Sequence, residues 1–266
     1  MGKRSAVKST RSTRSRTPLI VGILVVGVLA LVIGGTLLDR GDDADASGGS
    51  STVGPIPITR AAVQFPTSVV DGVVVAGATG KTGNTGKTGK TGKGKSAPHT
   101  LDLYEDAQCP ACQALESRGG ARLAQAVANG TLQIRYHLLN MLDQRSQPPG
   151  YSTLGGNAMM CGAENGIFPD LHVSLYTAQP DEGGAGWTVD QVVDLGKRLG
   201  AGPGFEACVR SGAHAQEITA NFAQASHDPK LVRQGATGFG TPTMVLDDTL
   251  LQPGDMRLDK LVPAGS

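Results

Sequence analysis

The sequence predicts a mixed α/β domain with an inserted group of helices, carried behind one N-terminal transmembrane helix. Three observations predict it. Pro18 to Leu38 is an uncharged run of 21 residues rich in Ile, Val and Leu. Leu101-Asp102-Leu103-Tyr104 alternates as a strand does and runs into Cys109-Pro110-Ala111-Cys112, followed by the helix-favouring Gln113-Ala114-Leu115-Glu116. Far downstream, Thr243 to Leu246 reads as a second strand, opened by Pro242 at a position that can spare a ladder donor.

The elements follow in order. Residues 1–17 carry Lys3, Arg4, Lys8, Arg11, Arg14 and Arg16 and no acid, whereas Asp39, Asp42, Asp43 and Asp45 follow the apolar run. At about 1.5 Å per residue that run spans a bilayer core of about 30 Å. The basic flank keeps residues 1–17 cytoplasmic and sends everything after Leu38 outward. A cleaved signal peptide is the alternative, with Ala44-Asp45-Ala46 as a small-residue cleavage site, but the run exceeds an h-region of about 7–15 residues. Both readings export the rest of the chain to a compartment where disulfides persist.

Residues 39–65 are rich in Gly, Ser, Asp and Pro and read as a flexible tether. Val69 to Ala76 is β-branched and reads as one strand. Residues 77–98 hold a period-three Gly-Lys-Thr tract that fits neither a phosphate-binding loop, whose two glycines stand five apart, nor a collagen helix, which needs proline. It reads as a solvated loop whose lysines suit an anionic wall or membrane surface. After the cysteine motif, Gly119-Gly120 interrupts the helical pattern, which resumes over Ala121–Ala128 and ends at Asn129-Gly130. Val189, Val192, Val193, Leu195, Gly196 and Leu199 recur at helical spacing. Residues 96–266 carry 11 basic and 18 acidic side chains, which excludes nucleic acid as the main partner.

The chemistry concentrates at Cys109-Pro110-Ala111-Cys112. Pro110 suits the first turn of a helix, so Cys109 caps its N-terminus, where free N–H groups and the dipole favour a thiolate. Cys112, one turn deeper, is placed to resolve a mixed disulfide on Cys109. Two other readings stand beside this one. Half of a zinc site needs a second close Cys/His pair, and the histidines (His99, His137, His172, His214, His227) form none. A purely structural Cys109–Cys112 bridge closes too short a loop to contribute much.

Together these residues resemble the exported DsbA-like branch of the thioredoxin superfamily in its membrane-anchored actinobacterial form. The resemblance rests on Tyr104-Glu-Asp-Ala-Gln-Cys-Pro-Ala-Cys112 and Gly240-Thr-Pro-Thr243. Asn157-Ala-Met-Met-Cys-Gly-Ala-Glu-Asn-Gly-Ile-Phe168 and Phe205-Glu-Ala-Cys208 resemble its helical insertion. It covers residues 66–266. The resemblance implies a thioredoxin fold with strands at Val69–Ala76, Thr100–Glu105, Leu132–Leu138 and Thr243–Leu246. It also implies a helix from Cys109, another near Leu258–Val262, and a helical insertion over about 150–225. It implies a cis Pro242 against the cysteine pair and a Thr241 backbone that pairs with substrate. Ala107 stands where relatives often carry Phe, which leaves the adjoining pocket emptier. Pro110 and Ala111 tune the redox poise, and Ala111 replaces the His of the most oxidising relatives.

The expected function is therefore a membrane-anchored thiol–disulfide oxidoreductase, more an oxidase than a reductase or isomerase. It acts on exported cysteine-bearing proteins, needs no metal or organic cofactor, and is recycled by a membrane oxidase such as a quinone-linked one. The alternative is a non-catalytic exported binding domain on the same scaffold. Four cysteines in an exported chain, with two in the motif, leave Cys161 and Cys208 as a structural disulfide. Closing that loop contributes about 4 kcal/mol in the chain-entropy model, less any strain. Two buried free thiols, or a relay with the motif, are the alternatives.

Overall fold

The structure is a computed structural model that describes Gly2 and residues 54–77, 97–253, 255 and 257–261. The basic tail, the apolar run Pro18–Leu38, most of the tether and most of the Gly-Lys-Thr tract lie outside the described residues. Among the described residues no helix is long and apolar enough to cross a membrane.

A six-stranded sheet runs through the domain in the order β1-β2-β4-β3-β5-β6. At its centre β3 (His99–Asp106) and β4 (Leu132–Leu139) pair in parallel, Leu103 opposite Tyr136 and Glu105 opposite Leu138. The crossover between them is α1 (Pro110–Leu115), a π-helical turn over Glu116–Gly120, and α2 (Ala121–Ala128). Gly119-Gly120 therefore does not interrupt the helix. The backbone stays helical, and the bare α-carbon of Gly120 makes room for the Glu116 carboxylate, where any Cβ would collide.

Val69–Ala76 is corrected from one strand to a hairpin of β1 (Thr67–Val70) and β2 (Val73–Ala76). Its tip, Asp71-Gly72, has φ of 49° and 74°, the two positive values that a tight hairpin turn requires. The partner hairpin, β5 (Thr243–Leu246) to β6 (Thr249–Leu250), turns on Asp247 and Asp248 in the same way, with φ of 48° and 62°. Asp247 also accepts bonds from the Thr100 N–H at 2.9 Å and pairs with His99 Nδ1 at 2.7 Å, which fixes β5 beside β3.

Between β4 and β5 the chain inserts α3 (Tyr151–Glu164), α4 (Phe168–Thr177), α5 (Val189–Arg198), α6 (Pro203–Ser211) and α7 (Ala215–His227), and α8 (Arg257–Leu261) follows the sheet. Helix α3 is buried along almost its whole circumference, which explains why it shows no amphipathic stripe. Helix α5 is amphipathic and starts with a capping box, Thr188 Oγ1 accepting from the Gln191 N–H while the Gln191 side chain accepts from the Thr188 N–H. Cys161 on α3 and Cys208 on α6 are disulfide-bonded, with Cα atoms 5.8 Å apart. Replacing both by Ala is expected to lower the melting temperature by about 10 °C, from about 4 kcal/mol of loop closure. An unchanged melting curve would count against that loop-closure argument.

The end of the predicted tether is also corrected. Ile56 is fully buried, and residues 59–64 are pinned to α4. Asp170 accepts from Arg60 Nη1 at 2.6 Å, the Ala61 N–H at 2.8 Å and Gln64 Nε2 at 2.8 Å. Burial opposes the charge on Asp170, but these bonds outweigh it and hold the carboxyl below its ordinary range. Backbone donors and one distant carboxylate leave no periodic trace in a sequence, so this segment reads as linker.

Candidate active site

Strand β3 ends at a buried carboxylate that shapes the loop into α1. Asp106 is fully buried and accepts from Ser152 Oγ at 2.7 Å, the Gln108 N–H at 2.8 Å and the Leu142 N–H at 2.9 Å. Burial nevertheless dominates and raises its pKa above the ordinary value. The Asp106 carbonyl accepts the Cys109 N–H at 3.0 Å, which delivers Cys109 in extended conformation (φ −76°, ψ 116°) to the N-cap of α1, with Pro110 as first helical residue. Ala107 does not leave an emptier pocket. Helix α3 closes on it at Gly155, where any added Cβ would clash with the Ala107 methyl.

Cys109 and Cys112 are both free thiols and both buried. The Cys109 pKa falls from 9.0 to about 6. The largest cause is the hydrogen bond from the Cys112 thiol; burial opposes it, and bonds from the Cys112 and Ala111 N–H groups add to it. These donors at the first turn of the helix account for the shift. Burial pushes the Cys112 thiol well above its ordinary value, and its bond and charge coupling to Cys109 and the charge of Glu105 push the same way. The peptide Thr241-Pro242 is cis, and the Thr241 carbonyl lies 3.5 Å from Cys109 Sγ. The Thr241 hydroxyl and the Gln108 side-chain amide are buried and have no hydrogen-bond partner within the protein. Beside the pair lies a groove of about 670 Å³, lined in part by Pro110, Ala111, Ala114, Arg233, Pro242 and Met244.

A family model described as thioredoxin matches residues 86–261, which contain the cysteine motif and Pro242. The chain belongs to the thioredoxin family. Among curated proteins it is similar to the serine/threonine-protein kinase PknE of Mycobacterium tuberculosis. They are 33% identical over 153 residues, covering 55% of this chain and 26% of the kinase. The chain thus spans about a quarter of the length of the curated relatives it matches. Among solved structures it is similar to the MdbA protein, a thiol-disulfide oxidoreductase from Corynebacterium diphtheriae. That match has a TM-score of 0.58 and 22% identity over 75% of this chain and 92% of the other. Reduced DsbA from Mycobacterium tuberculosis gives a TM-score of 0.53 and 22% identity over 68% of this chain and 84% of the other. Oxidised DsbA gives 0.51 and 25% over 61% and 80%. The fold is the DsbA-like form of the thioredoxin fold, with its helical insertion between β4 and β5.

In this thioredoxin domain a buried charge cluster lies under the cysteine pair, and no spacing rule found it. Glu105 shares the core face of β3 with Leu101 and Leu103 and is 2% exposed. His172 of α4, also buried, meets Glu105 Oε1 with Nε2 at 2.7 Å, while its Nδ1 lies 3.8 Å from Glu116 Oε2. Tyr136, Phe168 and Tyr176 surround the imidazole with ring centroids 4.9–5.1 Å away. Burial alone would lower the His172 pKa, but the charge and hydrogen bond of Glu105 and the charge of Glu116 outweigh it and raise it. Glu116 is raised chiefly by its own burial. The alternation Leu101-Leu103-Glu105 was the available signal, since period two turns Glu105 inward.

Proposed function

We propose that the chain is a membrane-anchored, extracytoplasmic thiol–disulfide oxidoreductase working in the oxidising direction on exported cysteine-bearing proteins. Cys109 forms the mixed disulfide, Cys112 resolves it, and Thr241 with cis Pro242 holds the substrate backbone. The observation that carries this reading is the pair of opposed thiols, one lowered to about 6 and the other raised well above 9.0. A stabilised Cys109 thiolate favours the reduced enzyme, and a stabilised reduced form makes the disulfide an oxidant. The enzyme disulfide takes two electrons from a substrate dithiol and must return them to a partner. In this reading that partner is a membrane oxidase, reached because Pro18–Leu38 anchors the chain.

The test is oxidation of a reduced, unfolded disulfide protein by the oxidised full chain, alongside insulin reduction in the presence of dithiothreitol. Stoichiometric oxidation through Cys109–Cys112 supports the reading. If the purified chain neither oxidises nor reduces either substrate, it is a binding domain on this scaffold. The poise is expected to lie between about −120 and −270 mV, the values of a strong oxidant and of a reductant of this fold. Ala111 is exposed at the motif and offers the Cys109 thiolate only its backbone N–H. Ala111→His adds a donor and is expected to raise the potential; an unchanged or lowered value would refute this account of the dipeptide.

A further inference from the structure

We infer that Cys161, Cys208 and His214 form a redox-gated site for a soft divalent cation of the zinc class, with Glu164 as the fourth ligand. The site is closed while the disulfide stands and opens when the disulfide is reduced. It is remote in sequence from the Cys109 motif and independent of the function proposed above.

One Sγ of each cysteine and a ring nitrogen of His214 all lie within 4.8 Å of one another. Glu164 stands three residues after Cys161 on α3, and its Oε2 lies 3.8 Å from Cys208 Sγ and 3.4 Å from His214 Nε2. The second observation is the state of His214. Both ring nitrogens are buried, and neither makes a hydrogen bond; the 3.4 Å approach to Glu164 lacks hydrogen-bond geometry. An imidazole left this way has lost its water without gaining a hydrogen bond, so a native structure normally supplies a partner. Its position is nevertheless built. The chain turns at Gly212 (φ 61°) after α6, and the His214 N–H donates to Asn157 Oδ1 at 2.9 Å. Asn157 in turn donates to the Val209 carbonyl at 3.2 Å and sits one turn before Cys161 on the same face of α3. Side chain and backbone together therefore hold the imidazole over the sulfur atoms.

Two thiolates, one imidazole and one carboxylate make a tetrahedral set suited to zinc and unsuited to calcium or magnesium. With metal–sulfur bonds of about 2.3 Å, two sulfur donors of a tetrahedral site stand about 3.8 Å apart. Sulfur atoms joined in a disulfide are not thiolate ligands, so they must first be reduced and separate. A reductant of the dithiol class supplies two electrons and two protons. The Cys161–Cys208 bond breaks, two thiols form, and the dithiol becomes a disulfide. Cation capture then releases the two thiol protons. The metal takes over from the covalent bridge in joining α3 to α6.

The test uses the full chain carrying Cys109→Ser and Cys112→Ser, so that only the second pair can bind. After reduction by a phosphine under anaerobic conditions, it is titrated with Co²⁺ and then Zn²⁺. The expected result is one equivalent of Co²⁺ with thiolate charge-transfer absorption and the intense visible bands of a tetrahedral site, displaced by Zn²⁺. The oxidised protein should bind none. His214→Ala should weaken binding at least tenfold. Glu164→Gln, an exposed change that leaves the fold intact, should weaken it several-fold. Absence of a tetrahedral spectrum overturns the inference. So does unchanged affinity in a folded His214→Ala chain, or in Glu164→Gln should His214→Ala fail to fold. Binding that occurs only when Cys109 and Cys112 are present overturns it as well.

Discussion

Cys109→Ser is expected to reduce disulfide exchange to the uncatalysed background, while Cys112→Ser traps the mixed disulfide with substrate. The asymmetry follows from the two thiols' surroundings. With a pKa of about 6, Cys109 is about nine-tenths thiolate at pH 7, against a few per cent for a free cysteine. Cys112 is pushed the other way and stays protonated until Cys109 is engaged. Iodoacetamide alkylation of the reduced chain should label Cys109 first, with a midpoint near 6. A midpoint near about 8.5, or preferential labelling of Cys112, would reject the assignment. The same shift couples to folding of the reduced form. A thiol whose folded pKa lies below its unfolded value adds stability above the unfolded value, and that stability is lost as pH falls through about 6. The reduced wild-type chain should therefore lose melting temperature, relative to Cys109→Ser, between about pH 9 and pH 6. A difference that stays flat with pH removes the thiolate from the account.

His172→Ala is expected to cost about 3–5 kcal/mol, because it removes the imidazole that stands between the buried Glu105 carboxyl and the partly buried Glu116 carboxyl. Adding Glu105→Gln should recover much of that loss, so the pair is strongly non-additive in a double-mutant cycle. Additive losses would show that packing of the ring among Tyr136, Phe168 and Tyr176, not the charge pair, is what matters. The pH direction is also determined. His172 has a folded pKa above its ordinary value, so its contribution is full below about 6.5 and is lost as pH rises through the folded value. Glu116, likewise raised, acts in the same direction. Wild type should lose more stability than His172→Ala toward alkaline pH.

The geometry of the cysteine motif was legible because it is local. A strand running into Cys-Pro-Ala-Cys fixes which thiol caps the helix, and Pro242 marks its partner strand. What was not legible depends on contacts across the chain. Glu105 and His172 are 67 residues apart and meet only once α4 folds over β3. Residues 60–64 are held by Asp170, more than a hundred positions later. Gly120 looked like a helix breaker because its reason, the Glu116 carboxylate above it, exists only in three dimensions. Asp71-Gly72 is the opposite case. The turn signal was present, and the β-branched residues on both sides concealed it.

Cys109 is 5% exposed, with its thiol set against the Thr241 carbonyl at the edge of the groove. A cysteine displayed on the rigid surface of a finished protein cannot be lowered to that depth, whereas one on a loose, extended stretch can. For the function proposed here, exchange is thus a race. Client chains are open to this enzyme only between emerging from the membrane and collapsing into their own cores. Slow-folding clients gain the longest exposure, and a client that folds first escapes with its thiols unpaired.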